Sequence, residues 1–119
     1  MRMLASLCAG IAACVIPVAG HAGYVDGNKL QELLGVAAEA ERGNGKGVED
    51  AYGSGFVIGY IAGVADTNNG VLLCRTPDVP LRQIVAIVKQ YLDDHPEDRN
   101  RPAEWIVLKA LSGAFPCRP

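Results

Sequence analysis

His95 stands among four carboxylates, Asp93, Asp94, Glu97 and Asp98. An imidazole between Asp94 and Glu97 offers the donor types of a metal site. Pro96 breaks the run, however, and nothing in the spacing fixes a coordination geometry, so the plainer reading is a solvated helix end. Ser54 lies between Gly53 and Gly55, but Tyr52 and Phe56 break the five-residue pattern of a nucleophile elbow. A site made of Ser54, His95 and an acid stays open at this level. Cys74 and Cys117 read better as a bridge than as a Cys–His nucleophile. Gly53, Gly55, Gly59 and Gly63 make no phosphate loop, because no Lys-Ser or Lys-Thr follows them. The inventory predicts no catalytic, cofactor-binding or metal-binding set, and so no enzyme. Tyr24 and Tyr52, both beside glycines, are either packed or partner-facing, and packing is the commoner fate.

Residues 1–22 read as a secretory signal: Arg2, then an apolar stretch from Met3 to Ala19, then the small residues of Gly20-His21-Ala22. Ile11-Ala12-Ala13-Cys14 also resembles a lipoprotein processing box. Apolar sequence continues past it through Val18, which suits the longer signal better. A membrane anchor fits poorly with Gly10, Pro17 and Gly20 in the apolar stretch. Removal of this segment takes Arg2, Cys8 and Cys14, leaving 10 basic and 13 acidic residues and a net charge of −3. That balance speaks against nucleic acid, which selects a basic face. The two cysteines that remain, Cys74 and Cys117, predict one disulfide in an oxidising compartment.

The elements that would position these groups are helical, organised around residues 52–66. This stretch is apolar or small on every side, the mark of a buried helix. Its Val, Ile, Tyr and Phe would suit a strand, but four glycines would not. Its apolar run from Phe56 to Ala65 is far short of the about 20 residues a membrane span needs. Gly55, Gly59 and Gly63 recur at four-residue spacing and predict a face for close packing by another helix; Phe56, Tyr60 and Val64 form a neighbouring ridge. A first helix is expected over about 29–42, capped by Asn28, after a flexible lead-in at 23–27. The central helix is expected over about 48–67, with a mobile loop at Gly43–Gly47 before it and Asn68-Asn69-Gly70 as its stop. Amphipathic spacing places a third helix over 80–94, Pro80 at its first position, and a fourth from Pro102. The fourth carries a stripe of Ala103, Ile106, Val107, Ala110, Leu111 and Ala114. Trp105 and Leu108 lie off that stripe and suggest a second buried face. The fold class is thus all-α: one domain over 23–119, four to five helices around the Gly-rich central helix, with one disulfide.

Three segments in this order resemble a known family. They are Gly27-Asn28-Lys29-Leu30, the run from Phe56 to Asp66, and a C-terminal part with Tyr91-Leu92-Asp93-Asp94-His95-Pro96-Glu97 and Ala114-Phe115-Pro116-Cys117. The set is similar to the Rap/Tai immunity proteins. These are small periplasmic helical proteins that protect bacteria from peptidoglycan amidases delivered by type VI secretion. The resemblance implies a non-catalytic, often homodimeric domain that blocks an amidase. Family members commonly carry a further cysteine pair at positions matching Leu34 and Val57. The loss of both together leaves Cys74 to pair with Cys117 and bears on how firmly the first helix is held. The competing class is a periplasmic stress chaperone of the HdeA type, similar in size and disulfide use; a Rap/Tai-like protein without an effector is a further reading. As an immunity protein, the chain has two loops suited to plugging a hydrolase cleft, Gly43–Gly47 and Thr67–Asp78. The second is favoured because the disulfide holds it. Asn68, Asn69 and Arg75 are its expected polar contacts, with Val71 and Leu72 as apolar anchors.

Overall fold

A computed structural model describes residues 23–118; residues 1–22, expected to form a signal and carrying Cys8 and Cys14, lie outside them. The described residues form four α-helices: α1 (Gly27–Glu41), α2 (Gly47–Asn68), α3 (Leu81–Asp94) and α4 (Ala103–Ala114). A 3-10 turn, Pro96–Asp98, links α3 to α4. The helix α2 packs against all three others, most extensively against α1. One core joins Leu30 and Leu34 of α1, Val57 and Ile61 of α2, Ile84, Val88 and Leu92 of α3, and Ile106, Val107 and Leu111 of α4. Leu34 and Val57, the positions the resemblance matches to a further cysteine pair, are both buried in this core.

The N-terminus of α1 differs from expectation. Asp26 is the cap, its Oδ1 accepting from the Lys29 amide at 2.9 Å, while the Asn28 amide reaches Asn100 at 3.0 Å. The lead-in is not loose: Val25 is buried, Gly27 donates to the Arg101 carbonyl, and Ala103 donates to the Val25 carbonyl. A Cβ on Gly27 would lie 2.4 Å from Ile106 Cδ1 and 2.7 Å from the Arg99 carbonyl oxygen, so only glycine lets α1 approach α4 this closely. Gly43 and Gly47 take positive φ, 80° and 78°, and turn the chain from α1 into α2.

Pro80 and Pro102 precede their helices as N-caps rather than opening them. The guanidinium of Arg99 donates to the Leu92 carbonyl, satisfying an orphan acceptor at the end of α3. On α4 the stripe from Ala103 to Leu111 is buried as expected, but Ala114 is exposed. Trp105 is not part of a second buried face; it is exposed, with the Arg101 guanidinium 5.1 Å from its ring centre.

The largest departure concerns α2. Its buried side is Gly53, Val57, Ile61 and Ala65. Gly55, Gly59 and Gly63 lie on the opposite side, and a Cβ added to any of them would meet nothing within 4 Å. The glycine face is therefore not a packing surface inside this chain. Burying a Val or Ile side chain gains about 1.5–3 kcal/mol, whereas glycine has no side chain to bury, so the branched residues win the core.

Candidate functional site

The segment between α2 and α3 is built from its hydrogen bonds outward. The Asn68 carbonyl closes the turn, accepting from the amides of Val71 at 3.1 Å, Leu72 at 3.0 Å and Leu73 at 3.3 Å. Gly70 makes this geometry available with φ 84° and donates to the Leu73 carbonyl at 2.7 Å. Leu73 is fully buried and plugs the segment into the core. The next residue, Cys74, is bonded to Cys117 with a Cα–Cα distance of 4.9 Å, and its amide donates to the Phe115 carbonyl at 2.8 Å.

A polar clasp closes the base of the loop. Asn69 Oδ1 accepts from the Arg75 amide at 3.0 Å, and the Arg75 guanidinium pairs with Asp66 on the last turn of α2. Asn68 donates its side-chain amide back to the Val64 carbonyl at 2.8 Å. The three polar residues expected to face a partner are thus engaged within the loop. Val71 and Leu72 do the reverse: they stand 71% and 53% exposed at the tip. The result is an apolar tip on a base held by a buried leucine, a disulfide and an ion pair. Sequence reasoning missed Leu73 and Asp66. Leu73 is one of three consecutive apolar residues, and the path of the turn, not residue type, sets which of them turns inward.

The titratable groups near His95 are paired among themselves. His95 Nδ1 lies 3.0 Å from Glu97 Oε1, and its ring stacks on Tyr91 at 4.4 Å. Tyr91 donates to Asp98 at 2.6 Å; burial and then Asp98 push its hydroxyl up to about 12. A backbone hydrogen bond and His95 hold Glu97 below the usual carboxylate range. The ligand-type atoms that converge here belong to His95, Glu97 and Asp98 rather than to the trio with Asp94 set aside above; Asp94 accepts from Gln90 instead. Ser54 donates to the Asp50 carbonyl of its own helix at 2.7 Å. Tyr24 and Tyr52 are both exposed, against the expectation of packing. An apolar groove of about 340 Å³ runs between α1 and α3, with Leu34, Ile58 and Val85 among its lining residues.

A family model described as Rap1a immunity proteins matches residues 22–117. The chain belongs to the Rap1a immunity protein family. A search of curated proteins finds no match. In this Rap1a protein the helices supply the frame, and the braced segment after α2 is one of the places, with Val48, Tyr52 and Phe56 of α2 another, where exposed apolar side chains sit on a fixed backbone.

Proposed function

We propose that this Rap1a protein is exported by its N-terminal signal to the periplasm. There it binds and blocks a type VI-secreted peptidoglycan amidase without catalysing a reaction itself. The loop Thr67–Asp78 is the inhibitory element, and the same resemblance implies a homodimer. One observation carries the choice of loop: Val71 and Leu72 project into solvent from a backbone fixed by Leu73, the Cys74–Cys117 bond and the Asp66–Arg75 pair. Apolar anchors on a pre-ordered segment lose little freedom on docking, so more of their burial appears as affinity. Asn69 and Arg75 contribute by holding the loop rather than by reaching across the interface.

The test uses a purified type VI-secreted peptidoglycan amidase that the wild-type protein inhibits. Changing Val71→Asp and Leu72→Asp together is expected to weaken inhibition by at least about a hundredfold, while the circular-dichroism melt stays unchanged. Inhibition at wild-type stoichiometry and affinity by that variant would move the plug to another part of the surface.

A further inference from the structure

We propose that the turn linking α3 to α4 holds a divalent transition-metal ion, with His95, Glu97 and Asp98 as its ligands and zinc as the ion that fits best. The site lies at the far end of α3 from the loop Thr67–Asp78, about 21 Å away along a 14-residue helix, and depends on neither that loop nor its target. Spacing alone leaves Pro96 as an interruption between the donors. In the fold Pro96 opens the 3-10 turn Pro96–Asp98, and His95 is its cap. Side chains three residues apart eclipse in such a turn. His95 and Asp98 stand in that relation, and the Asp98 amide donates to the His95 carbonyl at 3.1 Å. The turn thus brings an imidazole and a carboxylate to one side, and Glu97 reaches back to the same point.

One donor atom from each of the three residues lies within 4.8 Å of the other two. His95 Nδ1 and Glu97 Oε1 are 3.0 Å apart. Two donors on one tetrahedral zinc, at bonds of about 2.0–2.2 Å, stand roughly 3.3–3.6 Å apart, so this pair already has nearly the spacing the ion requires. A ring nitrogen with two carboxylates, and open positions left for water, suits zinc; magnesium and calcium take oxygen ligands. As the ion enters, the proton that Nδ1 shares with Glu97 passes through solvent to Nε2. A neutral imidazole therefore binds with no net change in protons.

Contacts outside the trio hold the donors in place. The His95 ring stacks on Tyr91, centroids 4.4 Å apart. The Tyr91 hydroxyl donates to Asp98 Oδ2 at 2.6 Å and leaves the second oxygen for the ion. Hydrogen bonds of this kind orient metal-binding carboxylates. The other charged groups nearby are engaged elsewhere. Asp93 pairs with Lys89, and Asp94 accepts from Gln90. Arg99 is turned to the Leu92 carbonyl, and Arg101 lies over the Trp105 ring. Among the described residues, neither Glu97 nor Asp98 pairs with a lysine or an arginine, so no fixed cation competes for their charge. A divalent ion supplies that charge and ties the end of α3 to the link that follows it.

Isothermal titration calorimetry tests the proposal, with zinc chloride added to the disulfide-bonded protein made without a polyhistidine tag and stripped with EDTA. One ion per chain is expected, with a Kd on the order of 10 μM, and magnesium chloride should give no saturable heat. His95→Gln and Asp98→Asn should each weaken zinc binding at least about tenfold. Tyr91→Phe, which removes no ligand, should also weaken it about tenfold by releasing Asp98. Asp94→Asn should change nothing. Zinc should raise the thermal melt of the wild type and leave that of His95→Gln unmoved. No saturable binding below about 1 mM zinc, or binding that survives His95→Gln, would mean adventitious uptake by surface carboxylates and would overturn the site. A loss in Asp94→Asn as large as in Asp98→Asn would overturn the ligand set. No effector enters the experiment, so its result stands apart from the loop test.

Discussion

Gly53 and Gly59 lie on one helix and face opposite surroundings. A Cβ on Gly53 would sit 3.2 Å from Leu33 Cδ2 of α1 and 3.9 Å from Val36 Cγ1. A Cβ on Gly59 would meet open space. The first glycine is there because a neighbour is near. The second lowers helix stability by about 1 kcal/mol relative to alanine and receives no contact in return within the chain. The two faces of α2 therefore respond to the same kind of change with opposite sign.

The comparison is broken hardest on the core side. Ile61 is fully buried between the other helices, so Ile61→Ala should cost about 2–5 kcal/mol in urea or thermal unfolding. A smaller loss would mean that the core side can collapse around the deletion. Gly53→Leu should come next, overpacking the contact with Leu33 at a cost of about 1–3 kcal/mol. For Gly59→Ala in dilute solution the expectation is a gain of about 0.5–1 kcal/mol, because alanine is the better helix former and meets no neighbour. A loss there, measured where the protein is monomeric, would show that the two faces are equally crowded.

The smallest effect sits at the edge between the faces. Tyr60 is half-buried and donates to Glu104 of α4 at 3.3 Å. Burial, reinforced by the Glu104 carboxylate, pushes its hydroxyl up to about 12. The folded state therefore holds this proton more tightly than the unfolded chain does. Its contribution to stability is complete below the ordinary tyrosine value near 10 and is lost as pH rises toward about 12. Tyr60→Phe should flatten this part of the pH dependence, tracked by denaturant melts alongside tyrosinate absorbance. An unchanged alkaline slope in that variant would place the loss elsewhere, with Tyr91 next.

Much of this fold was legible in the residues. Apolar spacing marks α3 because one face is apolar and the other polar, and α4 because its apolar stripe recurs at helical spacing. Proline marks their starts, since the ring excludes the preceding residue from the helix. The side of α2 that turns inward was not legible, because a helix without a polar face offers no amphipathic signal to orient it. The cap of α1 was misplaced by two residues. Asp26 and Asn28 are equally good capping types, and the close approach of Gly27 to Ile106 and Arg99 decides between them. The site was half legible. Its segment and its disulfide followed from the cysteines, asparagines and prolines. Which of Val71, Leu72 and Leu73 turns inward, and the use of Arg75 as an internal strut, depend on backbone hydrogen bonds that leave no mark in composition.

The bond between Cys74 and Cys117 also imposes an order in time. Its second half lies beyond α4, so the bridge cannot close until every helix has left the ribosome. The covalent brace on the loop is therefore set only after the whole helical frame has been synthesised. Until oxidation, a chain with its helices already assembled holds Val71 and Leu72 through Leu73, the Asn68 turn and the Asp66–Arg75 pair alone. Oxidation, and not synthesis alone, completes the brace on this loop.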